Sequence, residues 1–403
     1  MKIFLLLGPL CLLLGCTEDV SNSESIRRWF VDASDGGTLT IPAGHYEFDR
    51  SLVLRANNIA IVGAGQGHTV LSFSGQRQGA EGILLTGNGI RIEGLAVEDT
   101  VGDAIKINQS RDVVIRDVRT EWTRGPHTDN GAYGIYPVQC ENVLIEASAA
   151  IGASDAGIYV GQSKHIIVRN SVARQNVAGI EIENSTDADV YGNHVTENTG
   201  GILVFDLPNL PVQGGRRTRV FDNKVNANNT PNFAPPGNTV AGVPAGTGIM
   251  ISANDDIEVF GNSLIDNDTA NMLVVSYLIT GNPLTDANYD PYPERIHIHD
   301  NVFSGGGRTP DSDPLKRLVD QTKRPVPDIV WDGYSREEGN PQLCIDRNQG
   351  ADFVNLGAPV GFVPSFDMEP HRCTLDSLGT CLLYTSDAAD EGLGVDLGGR
   401  RII

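Results

Sequence analysis

The sequence predicts an all-β fold in which the chain winds into a solenoid of stacked, parallel-stranded coils. Between residues 82 and 307 one motif recurs about every 22 residues, a period typical of solenoids and other repeat arrays. Each copy has a Gly-Ile start, a polar turn, a Val/Ile pair and an Asn-x-Val close. Clear copies are AGIYVGQSKHIIVRNSVARQN, AGIEIENSTDADVYGNHVTEN and TGIMISANDDIEVFGNSLIDN.

Two-residue alternation within each copy identifies short strands and their faces. In Gly179 to Glu183 (GIEIE) the isoleucines point to one side and the glutamates to the other. Aliphatic pairs recur at the equivalent positions of other copies, so stacked copies build a continuous core. The pairs are Ile105/Ile107, Ile135/Pro137, Ile158/Val160, Ile202/Val204 and Ile249/Ile251.

Asparagines recur where the second strand of a copy ends. Stacked Asn side chains can hydrogen-bond one coil to the next, so we predict a structural ladder. Its members are Asn170, Asn193, Asn223, Asn262 and Asn301.

Charge narrows the range of partners. The 403 residues carry a formal charge of -21, with a pI near 4.7. Nucleic-acid binding depends on Lys and Arg that displace counterions, so we expect no nucleic-acid partner. A solvated acidic surface accounts for the charge equally well.

The N-terminus reads as an export signal. MKIFLLLGPLCLLLGC has one Lys followed by an apolar run that is too short to span a bilayer. Its end resembles a bacterial lipobox, which implies a signal peptide over residues 1–15 and a lipid-modified Cys16. Residues 16–25 would then be a polar tether. We therefore expect a lipid-anchored protein of the bacterial cell envelope, facing the periplasm or the surface and touching the membrane only through its anchor.

The remaining chain divides into three parts. Residues 26–307 form the repeat domain, and SIRRWFVD (Ser25 to Asp32) predicts a short helix that caps the first coil. Residues 308–380 read as an irregular C-terminal extension. Residues 381–403, with CLLYTSDAADE and VDLGGRRII, resemble a translated sequencing adapter, and we set them aside as an artefact.

Three cysteines remain in the domain and its extension. In an exported protein Cys344 and Cys373 are candidates for a disulfide. Cys140 reads as a lone buried thiol, because its repeat copy has no His to activate it.

The repeat grammar resembles that of right-handed parallel β-helix proteins. Residues 36–65 (GGTLTIPAGHYEFDRSLVLRANNIAIVGAG) resemble the first coil of pectate-lyase-like proteins. The repeats are similar to the carbohydrate-binding and sugar-hydrolase group, which includes mannuronan C5-epimerases and periplasmic copper-accessory proteins. By its lipobox and extension, the chain is nearest to lipid-anchored bacterial β-helix proteins of unknown function. The resemblance implies a right-handed, single-stranded β-helix and a polysaccharide or cell-surface glycan as partner.

One segment tests the epimerase likeness directly. Those enzymes open a coil with Tyr-Gly-hydrophobic-Asp-Pro-His, and the matching stretch here is Tyr133 to Val138 (YGIYPV). The Tyr, Gly and Pro match, but Tyr136 and Val138 replace the acid and the imidazole. The epimerase activity therefore does not carry over.

Outward positions on successive coils form a candidate site, which we call the outer row: Lys106, Tyr136, Tyr159 and Glu181. Tyrosines stack on sugar rings, Lys neutralises a uronate, and Tyr or Glu moves a proton. We expect Tyr136, Tyr159 and Glu181 to be catalytic, with His127 or Asp129 reaching in from a loop. The expected substrate-binding residues are Lys106, Asp103, Trp122, Arg124, Asp155 and Glu183.

Purely structural roles also account for the residues of this candidate site. Outward polar residues keep any β-helix soluble. Glu181 and Glu183 lie about 6.6 Å apart by strand rise, near the spacing of a glycosidase pair, but side-chain freedom favours a solvated face for them. His297 and His299 share a face but lack further ligands in the sequence, so we predict no metal site and no cofactor. Calcium remains possible, without a clear site.

Three functions stay open. The first is a polysaccharide lyase, hydrolase or epimerase. The second is a non-catalytic protein that binds a glycan, or a protein partner through the insertions at Leu207–Arg219, at Thr230–Thr247 and before RIHIHD. The third is an accessory lipoprotein of an exported redox or metal system.

Overall fold

The computed structural model describes residues 22–336 and 343–381. The expected signal peptide, Cys16, most of the tether and all of the set-aside tail except Cys381 lie outside these residues. Among the described residues, none of the helices has the length and apolarity needed to cross a bilayer.

The described residues form thirty short strands and two α-helices. The helices are α1 (Ser23–Asp32) and α2 (Asp313–Thr322). In chain order the strands are β1 (Thr38–Thr40), β2 (Gly44–Glu47), β3 (Arg50–Arg55), β4 (Ile59–Val62), β5 (Thr69–Ser72), β6 (Gln78–Thr86), β7 (Ile90–Glu98), β8 (Ile105–Asn108), β9 (Arg111–Glu121), β10 (Tyr133–Val138), β11 (Glu141–Glu146), β12 (Ala149–Ile151), β13 (Ala156–Gly161), β14 (Lys164–Arg169), β15 (Val172–Arg174), β16 (Ala178–Glu183), β17 (Thr186–Tyr191), β18 (His194–Thr196), β19 (Gly200–Phe205), β20 (Arg216–Phe221), β21 (Lys224–Asn226), β22 (Thr247–Ser252), β23 (Asp255–Phe260), β24 (Ser263–Ile265), β25 (Ala270–Val275), β26 (Ile296–His299), β27 (Val302–Ser304), β28 (Ile329–Trp331), β29 (Leu343–Asp346) and β30 (Phe353–Asn355).

In the described residues every pairing between two of these strands is parallel, and the strands form two sheets. Sheet I takes one strand from each coil: β3, β6, β8, β10, β13, β16, β19, β22, β25, β28 and β30. The other nineteen strands form sheet II. A regular coil therefore has three strands, as in β13, β14 and β15, and each strand pairs with its equivalent in the next coil. The predicted all-β solenoid is confirmed.

The core is the stack of inward aliphatic side chains that the alternation predicts. Ile105 pairs with Ile135, which pairs with Ile158, and the row continues through Ile180 to Ile202. All five are fully buried. Because each contacts its equivalents above and below, the core is continuous along the solenoid axis.

At the same turn of successive coils, asparagine side chains accept hydrogen bonds that join the coils in a ladder. The backbone N–H of Asn193 donates to Oδ1 of Asn223, and the same bond repeats from Asn223 to Asn262 and from Asn262 to Asn301. The predicted ladder is confirmed at these four positions. Asn170 is not a member, because the stacked position in its coil is Ser171, whose N–H donates to Asn193.

Helix α1 covers the N-terminal end of the stack. Helix α1 buries Ile26, Trp29 and Phe30 over the first coil, and its cap residue Asn22 accepts a hydrogen bond from the Ser25 N–H. The predicted capping helix is therefore present.

Residues 308–336 and 343–381 extend the solenoid rather than leaving it. Strands β28 and β30 continue sheet I, and β29 continues sheet II, between irregular connections. A disulfide joins Cys344 to Cys373, with their Cα atoms 4.9 Å apart. The chain then runs back over sheet II, where the Leu378 N–H donates to Glu258 and the Cys381 N–H donates to Asp189.

Candidate functional site

The outer row forms on sheet I in the predicted order. Tyr136 pairs with Lys106, and Tyr159 pairs with Glu181, on the outward face of adjacent strands. The row is not an open groove, however. Tyr159 is 4% exposed and Glu181 only 1%.

Insertions between the strands cover the row. The 3-10 turn Thr239–Gly242 packs Val240, together with Val243, on the cluster that contains Tyr159, and Asn238 donates a hydrogen bond to Oδ2 of Asp155 at 3.0 Å. The outward positions of the row are therefore largely closed to solvent, because long loops fold back onto this face of the sheet.

A cleft of about 900 Å³ remains between sheet I, the insertions and the C-terminal extension. That volume suits a bound ligand. One end is polar and aromatic, with Tyr133, Tyr136, Tyr159, Gln162 and Glu183. The rest is mainly uncharged; its lining includes Leu207, Leu210, Asn238, Met250, Leu273, Tyr277, Asn282, Leu315 and Phe362. No Lys or Arg is among the lining residues in the described part of the chain.

Three tyrosines form a compact cluster at the polar end. The ring centroids of Tyr133 and Tyr136 lie 4.3 Å apart, and that of Tyr159 lies 4.7 Å from Tyr133 and 4.9 Å from Tyr136. Burial raises the pKa of all three hydroxyls, and nearby carboxylates raise it further. The tyrosines therefore stay protonated and act as hydrogen-bond donors.

Three carboxyl groups stand beside the tyrosines. Burial, then the negative charge of Glu183, raises the pKa of Asp155 to about 7. Burial, then the charges of Asp155 and Glu183, raises the pKa of Glu181 well above its usual range, and one of its buried oxygens lacks a hydrogen-bond partner in the described residues. Burial also raises the pKa of Glu183, although the hydrogen bond from Tyr159 opposes this. The cluster therefore holds protons near neutral pH, as general acid–base catalysis requires.

Lys106 is paired with an acidic side chain and with a tyrosine ring of the outer row. Its Nζ lies 3.4 Å from Oδ2 of Asp103 and 4.6 Å from the ring centre of Tyr136. Burial raises the pKa of Asp103, and the charge of Lys106 opposes that effect. The pair is nearly neutral overall, so it adds little net charge to the polar end.

The loop after β9 does not supply residues to the cleft as predicted. Trp122 lies in the hydrophobic core, where its Nε1 donates to the Thr100 carbonyl at 2.8 Å, so its assignment to substrate binding is wrong. Arg124 donates to Oδ1 of Asn130 within the loop. His127 and Asp129 are exposed and contact each other, and neither lines the cleft in the described part of the chain.

Comparisons with known proteins agree with this architecture. The family described as right handed beta helix region matches residues 59–216 and 128–309, which together exceed half of the chain. The chain belongs to this family. The family assignment fixes the hand of the β-helix, which strand pairing alone leaves open.

Solved structures share the β-helix fold at low sequence identity. The A-module of the Azotobacter vinelandii mannuronan C-5 epimerase AlgE4 is 15% identical, with a TM-score of 0.51, over 83% of this chain and 93% of that one. The catalytic unit of a GH87 alpha-1,3-glucanase from Streptomyces thermodiastaticus is 16% identical, with a TM-score of 0.47, over 79% and 56%. A DFA-IIIase variant from Arthrobacter chlorophenolicus is 13% identical, with a TM-score of 0.44, over 83% and 82%. A search of curated protein sequences finds no match.

Several residues of the cleft were not predicted from the sequence. In the sequence, Tyr133 stands out only as the first residue of the segment YGIYPV, yet its ring joins the tyrosine cluster. Asn238 and Gln162 line the same space. The unusual length of the insertions was the available signal, because long loops in solenoids gather on one face.

Within the part of the chain that the structure describes, two side-chain groups have the composition of metal sites. One is Glu258, His297 and His299, so the structure supplies the third group that the sequence lacked beside the two histidines. The other is Asp255, Asp290 and Glu294, where Arg336 pairs with both Asp290 and Glu294 and neutralises the acids.

Proposed function

We propose that this protein hydrolyses an uncharged polysaccharide in the cleft over sheet I. The observation that carries the proposal is the hydrogen bond of 2.7 Å from Oη of Tyr159 to Oε1 of Glu183, at the polar end of the cleft. It supports Glu183 as the accessible carboxyl, held in place by a tyrosine. Tyr133 and Tyr136 supply aromatic surface for sugar rings.

Hydrolysis suits the carboxyl cluster. One carboxylic acid gives its proton to the glycosidic oxygen as the C–O bond breaks, and a second carboxylate removes a proton from the attacking water. Glu183, which lines the cleft and accepts a hydrogen bond from Tyr159, is the candidate for the ionised carboxylate that takes the proton of the water. Asp155 or Glu181, whose pKa burial raises, is the candidate for the protonated acid that gives its proton to the leaving oxygen. The raised pKa of Asp155, about 7, keeps an acid available at neutral pH.

The charge of the cleft favours a neutral substrate over a uronate. Its described lining contains Glu183 but no Lys or Arg, and Lys106 is paired with Asp103. A polyuronate would bring further negative charge to a site without a free cation, and like charges repel. Lyase and epimerase chemistry on uronates is accordingly the weaker candidate.

The test is a screen of neutral and uronate polysaccharides, read for new reducing ends, for unsaturated-sugar absorbance and for binding. We expect the protein to release new reducing ends from a neutral glycan. The rate of release should fall by about 10²-fold or more in Glu183→Gln. Matched controls are Glu197→Gln, on the surface, and Tyr191→Phe, on sheet II. Unchanged turnover in Glu183→Gln and Tyr159→Phe would show that the site is wrong.

Non-catalytic glycan binding is the second candidate. The same tyrosines and uncharged lining support it, since stacking needs no proton transfer. Saturable binding without reducing ends or unsaturated products, weakened by Tyr136→Ala, would favour this candidate over hydrolysis.

Export and lipid anchoring complete the proposal. They rest on the lipobox-like segment that ends at Cys16, outside the described residues. Metabolic labelling with palmitate in a bacterial host should label the protein, and Cys16→Ser should abolish the label. A protein that is exported equally well without label would refute the anchor.

A further inference from the structure

One outward row of sheet II ends in a buried cluster. Asp189, Arg219, Glu258, His297 and Cys344 pair in sequence from coil to coil. Arg219 makes a two-pronged ion pair with Asp189, at 2.8 and 2.5 Å. Glu258 and His297 follow it in the row, and His299 lies beside them on the same strand as His297.

The cluster is closed to solvent and compact. Glu258, His297 and His299 are 3%, 5% and 8% exposed. One donor atom from each lies within 4.8 Å of the other two. The imidazole centres of His297 and His299 are 4.2 Å apart.

Hydrogen bonds account for two of these side chains but not for the third. Nδ1 of His299 lies 2.7 Å from Oδ2 of Asp300, and its Nε2 lies 3.1 Å from Oε1 of Glu258. The Leu378 N–H donates to the other oxygen of Glu258 at 3.0 Å. Both ring nitrogens of His297 are buried without a hydrogen-bond partner in the described residues. Buried polar atoms without partners are rare in native proteins and call for an explanation.

We propose that Glu258, His297 and His299 bind a divalent transition-metal ion of the Zn²⁺ type. Two imidazoles and one carboxylate are donors that Zn²⁺ and its neighbours in the series prefer, whereas Ca²⁺ and Mg²⁺ require oxygen ligands throughout. Tetrahedral Zn²⁺ with bonds of about 2.0–2.1 Å places its ligand atoms roughly 3.3 Å apart. The 3.1 Å between His299 Nε2 and Glu258 Oε1 is already close to that spacing.

The surroundings orient the ligands as metal sites require. Asp300 accepts from His299 Nδ1, and Arg347 in turn holds Asp300 at 2.9 Å. When an ion replaces the proton on Nε2, this tautomer presents the Nε2 lone pair on the side of Glu258. The Leu378 N–H occupies one oxygen of Glu258 and leaves Oε1 to face the histidines. Carboxylate–histidine–metal arrangements of this kind fix the tautomer and the ring orientation.

The site also explains why the chain returns over this face. Cys344, next to His297 in the row, is bonded to Cys373, and the segment after Cys373 covers Glu258 through Leu378. A bound ion would therefore fix Glu258, the residue that the covering segment contacts. It lies on a different sheet from the cleft, so it does not depend on the proposed hydrolysis.

The experiment uses the full chain, stripped with a chelator and titrated with Zn²⁺ alone. We expect saturable 1:1 binding by calorimetry and a higher unfolding temperature with metal. Co²⁺ should give the intense visible absorption of a tetrahedral site. Ca²⁺ at the same concentration should neither bind nor displace Zn²⁺.

Variants identify the ligands. His297→Ala and the near-isosteric Glu258→Gln should each weaken Zn²⁺ binding by about 100-fold, while His45→Ala, an exposed histidine of the first coils, should not change it. Wild-type circular dichroism serves as the check that each variant is folded. If the folded wild type shows no 1:1 binding, or Glu258→Gln binds Zn²⁺ as tightly, the proposal is overturned and His299 is an imidazolium paired with two carboxylates.

Discussion

Tyr159 and Glu183 lie on the neighbouring strands β13 and β16 and share a hydrogen bond of 2.7 Å from Oη to Oε1. This bond is the main contact that lowers the pKa of Glu183 against the effect of burial, and the charge of Asp206 acts in the opposite direction. The two neighbours of Glu183 therefore offer variants with effects of opposite sign.

Tyr159→Phe should raise the pKa of Glu183, and Asp206→Asn should lower it. Removing the hydroxyl removes a donor to the carboxylate, whereas Asn at 206 removes a negative charge but can still accept from the Gly215 N–H. Carboxyl-carbon NMR titration of labelled Glu measures both changes. Shifts of the same sign would contradict the arrangement of the three groups.

Asp155→Asn should stabilise the protein at pH 8 more than at pH 4. Because burial raises the folded pKa of Asp155 from 3.8 to about 7, the folded protein binds this proton more tightly than the unfolded chain does. The stability it contributes is fully present below about pH 3.8 and is lost as pH rises to about 7. At 1.36 kcal/mol per pKa unit the upper limit is about 4 kcal/mol.

Denaturant unfolding of both proteins at the two pH values measures this effect. Asn can still accept the hydrogen bond from Asn238, so the contact itself is kept. A stability difference between variant and wild type that is equal at both pH values would contradict the raised pKa.

The sequence predicts the order of the site residues but not their burial. Lys106, Tyr136, Tyr159 and Glu181 follow from a repeat with two-residue alternation, because equivalent positions of parallel coils stack directly. Whether that row faces solvent depends on how the insertions fold. Their contacts, such as Asn238 with Asp155, join residues 83 positions apart and leave no periodic trace.

The asparagine ladder shows that a repeat pattern does not decide which of two adjacent residues stacks between coils. Asn170 and Ser171 are adjacent, and either could stack on Asn193. The backbone decides: Asn170 has φ of 51°, a left-handed turn position that Asn tolerates, while Ser171 points inward. Glu258 escaped detection beside His297 for a related reason, because the third insertion separates two coils that are adjacent in space.

Asn223→Ala should lower the free energy of unfolding by about 2–6 kcal/mol. The substitution leaves the Asn193 N–H without its acceptor and the Val190 carbonyl without its donor, both in the interior. Each orphaned buried group costs about 1–3 kcal/mol. Denaturant melts should show no comparable loss in Asn288→Ala, whose side chain is exposed. Equal losses in the two variants would count against the ladder.

Gly201→Ala should destabilise the β-helix by about 1–3 kcal/mol or more, through overpacking rather than backbone strain. A Cβ at this position would lie 2.4 Å from the Gly248 carbonyl oxygen of the next coil and 2.7 Å from Cγ1 of Val225. The carbonyl cannot move away without separating strands β19 and β22, so the repeated Gly of the Gly-Ile start is required by the approach of successive coils. Gly67→Ala is the matched control, since nothing lies within 4 Å of its added Cβ. Unfolding midpoints in denaturant compare the two variants, and a Gly201→Ala protein as stable as Gly67→Ala would show that the coils can separate at no cost.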